Sequence, residues 1–304
     1  MEDFIIPLIG ATLRIATPIL YAALGETIVE RVGILNLGIE GTMLLAAFGG
    51  FVAAETSGSL LLGLLAAMAV GVALGALMGL LSVTLRTNQH VAGLGITLFA
   101  TGLTLFAFRL KYGGRSTPPS LDEGFPQLPI LSDTFLKPIF NQYALTYAAL
   151  ILVVVIGWML YKTAFGLRLR SVGENPEAAD IAGISVYRTR YIALMLGGAL
   201  MGIGGAFLSL AQLGAFAHGI VNGQGWIAIA IVIFGNWQPK RVLWGALLFA
   251  GVQALQLRLQ AEGVDLPYEV LLALPYILTI VVLAIAGRNA SYPAALLKPY
   301  QREG

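Results

Sequence analysis

His90 and His218 are the only imidazoles in the chain, and they fall on separate apolar segments. No HExxH sequence pairs them as metal ligands, and no nucleophile elbow sets a serine beside either one. ATP binding through a phosphate-cradling loop is excluded outright. No glycine is followed by lysine, so GxxxxGK[ST] is absent. Gly223-Gln224-Gly225-Trp226-Ile227-Ala228 matches GxGxxA, but it follows no soluble strand and opens an apolar run, which is the wrong setting for a dinucleotide. With no cysteine there is neither a disulfide nor a thiolate metal site. The sequence therefore predicts no catalytic residue, no metal and no cofactor.

What remains chemically interesting is a set of polar residues inside apolar runs. Such residues are costly in a bilayer and usually face a cavity or a partner. Asn36, Glu40, Asn88, Gln89, His90, Asn222 and Gln224 are the candidates for a solute pathway. A four-residue spacing puts Asn36 and Glu40 on one helical face, beside glycines that open the backbone. A pathway role and simple helix capping both fit that pair. His90 reads equally as a ligand contact or a helix-end hydrogen bonder. Glu26, Glu30 and Arg31 read as a solvated salt-bridge cluster at a membrane edge.

The elements that must position these residues follow from composition. The 304 residues are 58% hydrophobic and 11% charged, with a mean hydropathy of +0.83. Soluble domains carry about 25% charged residues, so most of this surface does not face water. The chain has thirty-seven glycines, and most lie inside the apolar runs, as membrane helices tolerate. Stretches near 4–25, 33–54, 59–85, 90–110, 143–161, 190–212, 222–237, 242–260 and 269–287 approach the roughly 20 apolar residues of a span. The expectation is an all-α membrane protein of about nine transmembrane helices forming one domain over 1–304. The stretch 222–237 is short and opens with glycines.

Basic residues orient the chain. With 162–190 placed in the cytoplasm, Arg31, Arg86, Lys162, Arg168, Arg170, Arg188, Arg190, Lys240, Arg241, Arg288, Lys298 and Arg302 fall inside. Arg109, Lys111, Arg115, Lys137 and Arg258 fall outside, which makes twelve against five. The C-terminus is then cytoplasmic and the N-terminus outside. The connection 111–142, with Pro118, Pro119, Pro126, Pro129 and Pro138 among the apolar Phe125, Ile130, Leu131 and Phe135, is expected to cap the outer surface. The polar connection 162–190 holds a short helix between Glu174 and Gly183. Asn175 suits its N-cap, Pro176 its first turn and Gly183 its stop.

Gly38-Ile39-Glu40-Gly41 and Gly223-Gln224-Gly225-Trp226 both place a polar residue between glycines at the head of an apolar run, and in this topology they run in opposite directions. Inverted repeats with glycine-interrupted helices mark transport sites near the midplane. Gly71, Gly75 and Gly79 form one small-residue stripe, and Gly198 with Gly202 another; each fits internal packing or a subunit interface.

The run Gly25-Glu26-Thr27, Glu30-Arg31, Gly33, Asn36-Leu37-Gly38-Ile39-Glu40-Gly41-Thr42-Met43 resembles the N-terminal signature of ABC importer permeases of the branched-chain amino acid and simple-sugar class. Gly173-Glu174-Asn175-Pro176-Glu177-Ala178-Ala179 with Gly183-Ile184 resembles the cytoplasmic loop of that class. Gly223 to Ala230 with Phe234-Gly235-Asn236-Trp237-Gln238-Pro239 resembles its C-terminal half, and Pro275-Tyr276-Ile277-Leu278-Thr279 is most like the nucleoside-uptake branch. The resemblance implies a helical bundle of two inverted halves, similar to type II importers. It implies a plasma-membrane permease subunit moving nucleosides or a related simple-sugar-type solute. The partners implied are an ABC ATPase, a second paralogous permease and an extracytoplasmic substrate-binding lipoprotein. It also implies that Gly173, Glu174, Asn175, Pro176, Ala178, Ala179 and Gly183 couple to the ATPase. A stand-alone secondary transporter using Glu40 or His90 as an ion relay is the alternative.

Overall fold

A computed structural model describes residues 2–113, 119–130, 134, 136–262, 268–286 and 291–301. Arg115, Pro118, Leu131, Phe135, Arg288 and Arg302 lie outside the described residues. Within them the chain is helical, with α1 (Glu2–Arg31), α2 (Ile39–Ser57), α3 (Leu60–Gly79), α4 (Gln89–Tyr112), α5 (Lys137–Phe140), α6 (Ala144–Lys162), α7 (Ala164–Glu174), α8 (Pro176–Ile181), α9 (Val186–Ala206), α10 (Gln224–Phe234), α11 (Pro239–Ala261) and α12 (Tyr268–Ala286). Six helices among the described residues are long and apolar enough to cross a membrane: α1, α3, α4, α6, α9 and α11. The stretch 222–237 yields α10, an apolar helix of 11 residues that is too short to span.

Small residues decide which helices meet. In lipid there is no hydrophobic gain between apolar helices, so association rests on close van der Waals packing. α3 and α9 run antiparallel, with Gly71 set against Gly198, Gly75 against Leu194 and Gly79 against Tyr191. A methyl group added at Gly71 would lie 2.0 Å from the Gly198 carbonyl oxygen. Both glycine stripes are thus used in internal packing. α1 and α9 are also antiparallel, touching at Gly25–Gly197 and again where Gly204 meets Pro18. The Thr17 hydroxyl ties α1 to α6 through Thr146 at 3.0 Å. On the far side of α1 lies α11, where Gly251 approaches Thr12 and the Arg258 guanidinium stands 4.5 Å over the Phe4 ring. α3 and α9 each end in a π-helical turn, Leu80–Thr84 and Phe207–Gln212.

The two ends of the bundle differ. At one, the described part of 111–142 folds over residues 210–216: Leu121 N donates to Gly214 O at 2.8 Å, and Phe125 N to Leu210 O at 2.9 Å. At the other lie α7, α8 and residues 291–301.

Candidate functional site

α2 and α10 both begin inside the bundle, each after a non-helical approach. Residues 32–38 lead into α2 from the end that holds α7 and α8. Residues 213–223 lead into α10 from the capped end. The two helix N-termini meet. Glu40, in the first turn of α2, accepts the Gly223 N–H on Oε1 and the Gly225 N–H on Oε2, both at 2.8 Å. Gly223 has a φ of +83°, a conformation suited to glycine, and its own residue supplies no side-chain cap. The cap comes instead from a helix 183 residues away in sequence. A helix N-terminus carries unpaired N–H groups and a partial positive charge, so a carboxylate in the first turn of α2 that bonds the first N–H groups of α10 lies at the positive end of both helices. At Gly225 a methyl group would stand 2.6 Å from the Glu40 backbone nitrogen, so only glycine permits this approach.

The approach to α2 is fixed from three sides. Glu26 on α1 accepts the Asn36 N–H at 2.8 Å, Gln89 on α4 accepts the Leu35 N–H at 2.9 Å, and Asn36 Oδ1 accepts the Gly38 N–H at 2.9 Å. One turn along α1, Glu30 accepts the Trp237 indole N–H at 2.6 Å. Trp237 and Asn236 close α10 in left-handed conformations, with φ of +55° and +49°. Arg31 holds that turn by donating to the Trp237 carbonyl at 3.2 Å. Glu26 and Glu30 therefore anchor both interrupted helices to one face of α1.

At the same end α8 forms as its composition predicts. Asn175 Oδ1 accepts the Ala178 N–H at 2.9 Å, Pro176 occupies the first turn, and Gly183 leaves the helix with a φ of +84°. Residues 291–301 strap α7, the helix just before it, to the interrupted ones. Ser291 N donates to Asn236 Oδ1 at 2.9 Å, Tyr292 packs on Trp237 with ring centroids 4.9 Å apart, and Ala295 N donates to Gly173 O at 2.8 Å. The Ala295 carbonyl closes on Gly33, at the foot of the approach to α2.

Residues 8–283 match the family described as branched-chain amino acid transport system / permease component. The chain belongs to that family. Among its relatives, the putative glucose ABC transporter permease protein TsgC13 of Haloferax volcanii is 38% identical, over 99% of each chain. The guanosine ABC transporter permease protein NupQ of Bacillus subtilis is 36% identical, over 96% of each. A second guanosine permease of that organism, NupP, is 25% identical over 93% of this chain and 82% of its own. No solved structure matches the chain.

The permease distributes the sequence-derived candidates unevenly. Glu40, Gln224 and Asn222 gather at the α2–α10 junction. Asn222 is exposed there, Gln224 is buried, and among the described residues the Gln224 side-chain oxygen has no hydrogen-bond partner. Asn36 and Gln89 are buried and serve the loop before α2. Asn36 lies in that loop rather than on α2, so it does not share a helical face with Glu40. Asn88 caps α4 by accepting the His90 N–H at 2.9 Å, and both residues are exposed. Glu174 closes α7 instead of opening α8. Gly173 is buried against the Arg31 carbonyl, Ala179 is buried, and Asn175, Ala178 and Gly183 are exposed. Glu26 and Glu30 are not a solvated cluster: they are 0% and 1% exposed, and Arg31 is turned to Trp237 and Tyr161. Trp237 is the residue that pattern reading passed over. A Glu26–Glu30 spacing of one turn in an apolar run was the available signal.

Proposed function

We propose that this permease is the membrane-spanning subunit of an ATP-driven importer for nucleosides or a related sugar-bearing solute. The Glu40 bridge between two helix N-termini carries the reading. Transport sites are built where interrupted helices meet inside a bundle, because irregular backbone at that depth needs partners or a water-lined cavity. Asn222 and Trp226 stand exposed beside the bridge. An amide with an aromatic face suits a solute that has hydroxyls to bond and a flat ring to stack.

An inverted repeat is supported by reciprocal packing. α1 and α2 precede α3, and α9 and α10 precede α11. α3 packs on α9 while α11 packs on α1, each antiparallel. Two halves that exchange contacts this way can rock about the junction, and such rocking underlies alternating access. The driving chain is a separate ABC ATPase docking on the exposed side of α8. A paralogous second permease completes the pathway, as the NupP and NupQ pair of one organism supports. A substrate-binding lipoprotein serves the capped end. The permease then sits in the plasma membrane with α8 and the C-terminus in the cytoplasm.

An ion-relay role for Glu40 has less behind it, since both carboxylate oxygens are already engaged. Labelled guanosine and glucose uptake into vesicles carrying the assembled transporter tests the proposal. Uptake should require ATP and persist when the proton gradient is collapsed. Uptake by this chain alone, driven by the gradient, would refute the ATP-driven reading.

A further inference from the structure

A cleft of about 420 Å³ opens between α7 and α9, beneath the 182–185 turn. Phe165 and Arg168 wall one side, and Ser185, Arg188, Thr189 and Ile192 the other. Both arginines are exposed, and among the described residues neither guanidinium meets a carboxylate. Neighbouring cations at this end are engaged differently. Arg31 donates to the Tyr161 hydroxyl at 2.8 Å, and Arg170 donates to Leu160 O at 3.0 Å while standing 5.1 Å over the Tyr161 ring.

The cleft sits at the level of an aqueous boundary. On α6, Trp158 is 61% exposed and Tyr161 38%, the amphipathic aromatics that favour the headgroup region. α7 pairs the exposed Leu167 with the exposed Arg168, as a helix lying in an interface does. On α9, Arg188, Ile192 and Leu196 follow at four-residue intervals, so they stack along one face. Ile192 and Leu196 are 44% and 40% exposed. The surface is therefore cationic in the cleft and apolar directly beyond it.

We propose that this cleft binds an anionic phospholipid, its phosphate headgroup between Arg168 and Arg188 and an acyl chain along Ile192 and Leu196. An acidic protein segment would satisfy the guanidinium groups but leave the apolar continuation uncovered. A free phosphate would do the same. Only a lipid matches both halves, and basic clefts between helices on the cytoplasmic side of a bundle suit such headgroups. The inference does not depend on which solute the permease carries.

The full chain in mild detergent would be offered phosphatidylglycerol and phosphatidylcholine with identical acyl chains, and retained lipid counted by native mass spectrometry. Phosphatidylglycerol should be retained at least about tenfold more strongly, from two cationic contacts. R168Q/R188Q should abolish that preference, while K240Q/R241Q, an equal charge change at another place, should keep it. I192S should weaken retention with both arginines intact. Excess inorganic phosphate should not displace the lipid. Equal retention of the two lipids, equal loss in both double variants, no effect of I192S, or full displacement by phosphate would each overturn the proposal.

Discussion

The Glu30 carboxylate accepts the Trp237 indole N–H at 2.6 Å, joining the end of α1 to the left-handed turn that closes α10. Both side chains are fully buried. Removing one partner therefore leaves a buried polar group unpaired, at a cost of about 1–3 kcal/mol, more if it is charged. Trp237→Phe keeps the ring but strips the donor. It should lower the midpoint of thermal unfolding in detergent, while Tyr292→Phe, which keeps the ring packed on Trp237, should not. Equal midpoints for Trp237→Phe and the native chain would show that the bond contributes nothing.

Glu40 makes a sharper demand, because its two oxygens serve two N–H groups. Glu40→Gln retains one acceptor oxygen and sets an amide donor against the second N–H. Glu40→Leu orphans both, at about 1.5–3 kcal/mol for each bond to a charged group. Uptake should fall in the order native, Gln, Leu, with membrane insertion preserved for Gln. Gln activity equal to native would remove the carboxylate from the mechanism.

Packing between α3 and α9 tolerates no added atoms. Gly71→Ala would drive a methyl into the Gly198 backbone at 2.0 Å, and overpacking of this kind costs about 1–3 kcal/mol. Gly95→Ala on α4 meets nothing within 4 Å. It should be neutral or stabilise by up to about 1 kcal/mol, since alanine is the better helix former. Thermal inactivation of the two variants side by side separates the cases.

Legibility in the sequence followed the range of the interaction. α8 was readable because Asn175, Pro176 and Gly183 act on their own backbone within a few residues. The glycines that open α10 were a local signal too, whereas the break before α2 was not read, since Asn36 was expected on one helical face with Glu40 and lies in the loop instead. The junction partners were not. That Glu40 caps α10, or that Glu30 meets Trp237 across 207 residues, depends on tertiary packing that spacing does not encode. The same gap misled the reading of Glu26 and Glu30. A carboxylate near the end of an apolar run looks solvated until the loop that buries it is known.

Residues 291–301 tie the end of α10 to α7 and to the approach to α2, so their removal should uncouple rather than unfold. Truncation after residue 290 deletes the Ser291–Asn236, Tyr292–Trp237 and Ala295–Gly173 contacts but no helix. ATP hydrolysis by the assembled transporter should continue while uptake drops several-fold. Proportional loss of both would mean the strap only supports folding.

Ala178 and Ala179 are adjacent on α8 but differ in burial, which separates docking from folding. Ala179 is 4% exposed, and Ala178 is exposed. Ala179→Trp must displace packed neighbours and should reduce the amount of protein in the membrane. Ala178→Trp adds its ring on the exposed side of α8, the surface proposed to dock the ATPase. It should leave expression and thermal stability unchanged while abolishing ATPase recovery on co-purification, and uptake with it. Asn175→Ala tests the same helix from within, because loss of the cap costs about 1 kcal/mol, a large share for a helix of six residues. Asn175→Asp should restore what alanine removes. If Ala178→Trp still recovers the ATPase and transports, the docking face lies elsewhere and α8 is only a turn between α7 and α9.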